Sequence, residues 1–117
     1  MGKRITQQKR GHGGPRYRAP SHRYNIKSTY LNKEVGQGKI LDFTMSPAHS
    51  APIIKIGYPN YETGFIIAAE GLRVGDDLSY GEKASIQPGN ILPLKVIPEG
   101  TRIFNIESQP GDNGKFC

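Results

Sequence analysis

The chain has 117 residues, 16 Lys and Arg against 10 Asp and Glu, a net charge of +6 and a hydrophobic fraction of 35%. That length suits one small domain with extensions, and the single cysteine, Cys117, excludes a disulfide framework or a cysteine-built metal site. The longest apolar run, residues 65–69, falls far short of the ~20 residues that cross a bilayer, and no signal-peptide pattern opens the chain.

The charge is unevenly spread. Residues 1–39 hold ten basic side chains and one acid, Glu34, a net of +9. Residues 40–117 hold six basic and nine acidic side chains, a net of −3. A basic arm on a mildly acidic body points to a polyanionic partner. Ile5, Ile26, Leu31 and Val35 are too scattered to define an apolar face on that arm. Gly11, Gly13, Gly14, Pro15 and Pro20 are expected to break any helix in its first part. Residues 21–35, free of Gly and Pro, admit a helical turn. The arm is therefore expected to be disordered in isolation, since it buries too little to offset its ordering entropy. Removing residues 1–30 is expected to leave the stability of the body nearly unchanged.

The arm is more than a solubilising tail. Arg4, Arg10, Arg16, Arg18 and Arg23 dominate its charge, and guanidinium planes suit phosphate forks and base stacking. Tyr17, Tyr24 and Tyr30 are interleaved with them, and aromatics stack on unpaired bases. Nucleic acid is the partner that composition favours. Met1-Gly2-Lys3-Arg4-Ile5-Thr6 also fits the loose N-myristoylation pattern, which leaves a polybasic membrane-surface protein as an alternative.

From residue 39 the texture changes to short apolar stretches separated by turn residues. The candidate strands are 39–45, 51–58, 64–70, 78–80, 84–87, 91–94 and 101–107. In 51–58, Ile54, Ile56 and Tyr58 share one face and Lys55 lies opposite. Ser46-Pro47, Pro59-Asn60, Gly75-Asp76-Asp77, Pro88-Gly89-Asn90, Pro98-Glu99-Gly100 and Pro110-Gly111-Asp112 punctuate them. Many short strands at about ten-residue intervals indicate an all-β barrel or sandwich. Pro93 cannot donate to a central ladder, so 90–94 reads as an edge or an exit.

No constellation argues for catalysis. His12, His22 and His49 would have to converge from the arm and a loop to bind zinc. Gly11-His12-Gly13-Gly14 lacks the ending, the preceding strand and the following helix of a phosphate loop. Asp76-Asp77 after Gly75 reads as a solvated turn. No cofactor, metal, catalytic residue or small-molecule substrate is expected.

Several stretches together resemble one family. They are Ser50-Ala51-Pro52-Ile53, Ala69-Glu70-Gly71-Leu72-Arg73-Val74-Gly75-Asp76, Pro88-Gly89-Asn90-Ile91-Leu92-Pro93-Leu94, Ile97-Pro98-Glu99-Gly100-Thr101, Asn105-Ile106-Glu107 and Pro110-Gly111-Asp112-Asn113-Gly114-Lys115. The start, Met1 to Ile5 and Pro15 to Arg23, agrees as well. In this order they resemble the universal large-subunit ribosomal protein number two (L-two) family, archaeal or eukaryotic type, over essentially the whole chain and in its N-terminal part. The resemblance implies an all-β chain: a basic rRNA-binding extension over 1–38, a small OB-like β-barrel over 39–97, and over 98–117 the start of a truncated SH3-like barrel. It implies a structural constituent of the large ribosomal subunit, cytoplasmic in the ribosome. That constituent would bind large-subunit ribosomal RNA, neighbour other large-subunit ribosomal proteins and support the peptidyl transferase region, with no membrane role. The rRNA-binding residues it implies are Lys3, Arg4, Lys9, Arg10, His12, Arg16, Tyr17, Arg18, His22, Arg23, Lys27, His49 and Ser50. His49 stands where family members often have Arg. Family members also continue past the Lys115 region, so 101–117 is expected to lack a core of its own. A non-ribosomal OB-type single-stranded nucleic-acid binder is the other reading.

Overall fold

A computed structural model describes residues 2–19, 21–30 and 36–116. Four strands carry the fold: β1 Gly36–Thr44, β2 Ile53–Gly57, β3 Thr63–Ile67 and β4 Asp77–Tyr80. They form one antiparallel sheet in the order β3-β2-β1-β4. These match four of the expected strands, although β1 begins at Gly36, ahead of the expected start. The chain is thus all-β in its regular core, as its alternating isoleucines and turn residues indicate.

β1 serves two ladders. Gly36 to Lys39 face β4, and Lys39 to Thr44 face β2. Between Ile40 and Asp42 the register slips, leaving Leu41 as an extra residue, 46% exposed. Such a bulge bends the strand and sharpens its twist.

The core lies on one side of this sheet. Ile40, Ile54, Ile56, Tyr58, Ile66 and Leu78 are buried together, with Tyr30, Phe43, Leu72, Tyr80 and Ile91 packed half-buried around them. Ile54, Ile56 and Tyr58 do share a face, as the alternation indicates. Ile53 is also buried, at 0% exposure, so β2 is covered on both faces at its start. Each such side chain contributes ~1.5–3 kcal/mol by leaving water.

Two tyrosines fix the sheet's spacing. The Tyr58 and Tyr80 rings meet edge to face, 6.0 Å apart at 85°, an arrangement worth ~0.5–1.5 kcal/mol beyond area. Tyr58 lies over Gly38 of β1, where a Cβ would stand 2.5 Å from Ile56 Cγ2 and 3.1 Å from Tyr58 Cε1. Only hydrogen fits beneath the ring there.

The turns behave as their residues dictate. The Asp76 carboxylate accepts from the Arg73 N–H at 2.7 Å, and Gly75 N–H and Asp76 C=O bond to Ile40 of β1, each at 2.9 Å. That accounts for the acidic pair as a fastened turn. Asp112 closes another turn by accepting from the Ser108 hydroxyl at 2.6 Å and from the Ser108 and Gly114 N–H groups at 3.0 Å. Those bonds, the Ser108 hydroxyl foremost, hold its carboxyl down to about 2.

Of three further expectations, two are corrected and the barrel is unconfirmed. First, residues 84–87, 91–94 and 101–107 form no ladder. Ile91 makes a single parallel bridge to Tyr80, after which Pro93 opens a 3-10 turn, Leu94–Val96. In the third stretch Asn105 adopts φ 55°, which interrupts extended backbone, and Ile106 makes only one bridge, to Phe116. Second, the ladders give the order β3-β2-β1-β4 and none joins β3 to β4 among the described residues, so the barrel expected over 39–97 is not confirmed. Third, the arm holds a helix, α1, Thr6–Gly11. The Gly and Pro residues end it rather than prevent it. The Gln8 side chain accepts from the Ile5 N–H at 3.4 Å, and Lys9 and Arg10 sit in its last turn, where the helix dipole favours cations. Single 3-10 turns follow at Pro15–Tyr17 and Ser21–Arg23. The part of the 21–35 reading that covers 31–35 lies outside the described residues.

Two outcomes follow from this architecture. Ile54→Ala should cost ~2–5 kcal/mol in chemical denaturation, while Ile5→Ala, on the exposed arm, should leave the midpoint unchanged. Asp112 titrates below an unfolded carboxyl of ~3.9. Its turn therefore keeps its full stabilisation above that pH and loses it as pH falls through about 2. A carboxyl-carbon NMR titration that found Asp112 near the unfolded value would contradict the turn's geometry.

Candidate nucleic-acid interface

The described residues 2–25 of the basic arm are exposed apart from Gly13 and Gly14, whereas Ile26 and residues 28–30 are half-buried. Lys3 and Arg4 precede α1, Lys9 and Arg10 lie in its last turn, and His12 caps it; all are exposed. α1 buries none of its residues, and so short a helix is marginal without packing. Gly13 at φ 65° then reverses the chain. The Arg18 guanidinium approaches within 3.5 Å of where a Gly13 Cβ would stand. Arg16 and Tyr17 occupy the first 3-10 turn, His22 and Arg23 the second. Lys27 is exposed beyond them.

Two concavities gather these residues. The reversal at Gly13 folds Arg16 and Tyr17 back towards Arg4, Lys9, Arg10 and His12, and these six share the first. The second joins distant parts of the chain: Tyr24, Lys27 and Ser28 of the arm meet Ala48 and His49 of the β1–β2 loop. There His49 is half-buried, its Nδ1 3.3 Å from the hydroxyl of buried Ser46 and its N–H bonded to the Ser46 C=O at 3.0 Å. It is a fixed ring, not a free loop side chain. Lys3, Arg18, His22, Arg23 and Ser50 line neither concavity. The three histidines stay apart, His12 at the first, His49 at the second and His22 at neither.

Sequence reasoning missed how the arm is fastened. The Thr29 N–H donates to Phe65 C=O of β3 at 2.9 Å. The Tyr30 N–H donates to Asn113 Oδ1 at 3.0 Å. The Tyr30 hydroxyl donates to Asn105 C=O at 3.1 Å and accepts from Asn105 Nδ2 at 2.6 Å. Burial pushes the Tyr30 phenol above its ordinary value, the Asn105 bond opposes that, and Glu107 adds to the rise. Glu107 in turn accepts from the Asn113 N–H at 3.0 Å. The body is thus tied to residues 29–30, and the expectation that losing 1–30 is neutral is corrected: the neutral cut ends before Thr29. The available signal was Asn105 and Asn113, both in left-handed backbone at φ 55° and 63°, a conformation Asn tolerates.

The chain's relatives bear on this arrangement. No family model matches the chain. It is 47% identical over 118 residues to large ribosomal subunit protein uL2 of Methanospirillum hungatei, covering 99% of the chain and 50% of that protein. It is also 47% identical over 123 residues to uL2 of Methanopyrus kandleri, covering 100% and 51%. The uL2 of Haloarcula marismortui is 45% identical over 120 residues, covering 100% and 50%. The chain belongs to the uL2 family. It is of archaeal type, and it spans about half the length of the curated uL2 relatives it matches. The uL2 likeness runs through arm, sheet and C-terminal turns alike, so the exposed arm is as much a part of it as the core.

Tyr30→Phe removes two hydrogen bonds worth ~0.5–1.5 kcal/mol each. Amide exchange at Ile106, Lys115 and Phe116, which pair across the C-terminal bridge, should quicken by up to roughly 5- to 150-fold. Exchange at Ile54 should not change. Equal acceleration in β2 would show that Tyr30 serves the core instead of the junction.

Proposed function

We propose that the chain acts as part of a structural constituent of the large ribosomal subunit, cytoplasmic in the ribosome, and that it does so by binding large-subunit ribosomal RNA rather than by catalysis. The whole-length similarity to proteins named large ribosomal subunit protein uL2 carries this reading. In it, residues 1–38 form the rRNA-binding extension, 39–97 an OB-like β module that holds the arm in place, and 98–117 the start of a second module. Lys3, Arg4, Lys9, Arg10, Arg16, Arg18, Arg23 and Lys27 neutralise phosphates, and His12, Tyr17, His22, His49 and Ser50 contact RNA beside them. Neighbouring large-subunit proteins complete the surroundings, and the assembly supports the peptidyl transferase region.

The physics favours this assignment. Exposed cations with no acid among them gain by displacing the counterions condensed on RNA. Helix α1 is one short, unpacked stretch of six residues and no rigid reading helix, so specificity comes from RNA shape rather than base-by-base hydrogen bonding.

The test is affinity for large-subunit rRNA as a function of salt. With about six phosphate contacts, the slope of log affinity against log salt should be about −4, at ~0.7 per contact. Deleting residues 2–25, which stops short of the Thr29–Tyr30 junction, should remove most of the affinity and most of the slope while the denaturation midpoint stays put. A truncated chain that keeps the full slope would overturn the proposal.

A further inference from the structure

We propose that the arm's local turns form a bay for one unpaired nucleotide, one that RNA binding makes lasting, with the base stacked on Tyr17 and the phosphate held among Arg4, Lys9, Arg10 and Arg16, which line the same concavity. This deepens the RNA-binding reading and rests on it.

The bay is made by local structure. In α1, Thr6, Lys9 and Arg10 are spaced i, i+3 and i+4, which puts them on one face. The Gly13 N–H bonds to Arg10 C=O at 3.0 Å and the Tyr17 N–H to Gly14 C=O at 2.9 Å. With Gly13 at φ 65° and Pro15 opening the 3-10 turn, these bonds bring Arg16 and Tyr17 back onto that face. A substituent at Gly13 would be strained there.

The chemistry of the lining selects the ligand. Four permanent cations face one space with no acid lining it, so the charge inside is unbalanced until an anion enters. The planar forks of Arg4, Arg10 and Arg16 suit phosphate oxygens. Tyr17 is 41% exposed and lines the same concavity, so its side chain is accessible to a ligand there. A paired base has both faces occupied by its neighbours in the stack. Only an unpaired base offers a face to such a ring. An inorganic anion would leave Tyr17 unused, and a duplex could reach the cations but not the ring.

Two probes separate stacking from charge: a short single-stranded oligoadenylate, and an abasic ribose-phosphate chain of equal length. Each is titrated with the full chain at several salt concentrations. Tyr17→Ala should weaken oligoadenylate binding roughly 5- to 100-fold, leave the abasic chain unaffected and leave both salt slopes unchanged. Tyr17→Phe, which keeps the ring, should bind like the parent. Arg16→Gln should weaken both probes and reduce the slope by about 0.7. If Tyr17→Ala affects both probes equally, or neither, the bay is overturned while the phosphate contacts stand. If the parent chain shows no salt-dependent affinity for either probe, the RNA-binding reading falls together with the bay.

Discussion

Ten cations and one acid in the first 39 residues cannot be packed against one another. Charge repulsion and the want of apolar side chains keep residues 2–19 off the protein's own core, while Tyr30 packs against it. The rest of the molecule is arranged around that constraint. The arm turns locally, through α1 and two 3-10 turns, but buries no side chain over residues 2–19. In the proposed reading, RNA supplies the lasting order of this part of the arm.

The body meets the complementary requirement. Its core is small, six buried side chains on one face of four strands, so each geometric device matters. The bulge at Leu41 sits in β1, the strand that carries both ladders. Tyr58 over Gly38 draws the strands close. At Thr29 and Tyr30 the arm is bonded both to the β3 edge and to the C-terminal turns. Residues 30, 105 and 113, far apart in the chain, meet there. Tension on an RNA-bound arm would be carried to this junction and shared between the sheet and the C-terminal segment.

How much of this was legible in the sequence differs by feature. The alternation of Ile54, Ile56 and Tyr58 around Lys55 announced β2 and its buried face. The charge asymmetry announced the arm, and Asp76 after Gly75 announced a turn. Long-range geometry was not legible. Nothing local marks Gly38 as lying under a ring contributed by residue 58, or Leu41 as a bulge. The stretch 101–107 reads as a candidate strand, but a strand needs a partner, and left-handed Asn105 interrupts it. Helix α1 was missed because breakers at Gly13, Gly14 and Pro15 were read as forbidding a helix, although they only bound one. Of the implied RNA contacts, the turn at Gly13 groups Arg4, Lys9, Arg10, His12, Arg16 and Tyr17, whereas Lys27 and His49 meet only because the sheet brings the β1–β2 loop beside the arm.

The central claim is that the arm takes its lasting order from polyphosphate while the sheet is ordered by itself. Residue-resolved amide exchange, with and without a large-subunit rRNA fragment, tests it most directly. Without RNA, the amides of Lys9, His12 and Tyr17 should exchange at nearly the unfolded rate while those of β1 and β2 are protected. Adding RNA should protect the arm and leave the sheet as it was. Arm amides already as protected as the sheet in the free protein, or RNA-induced protection confined to the sheet, would contradict the account.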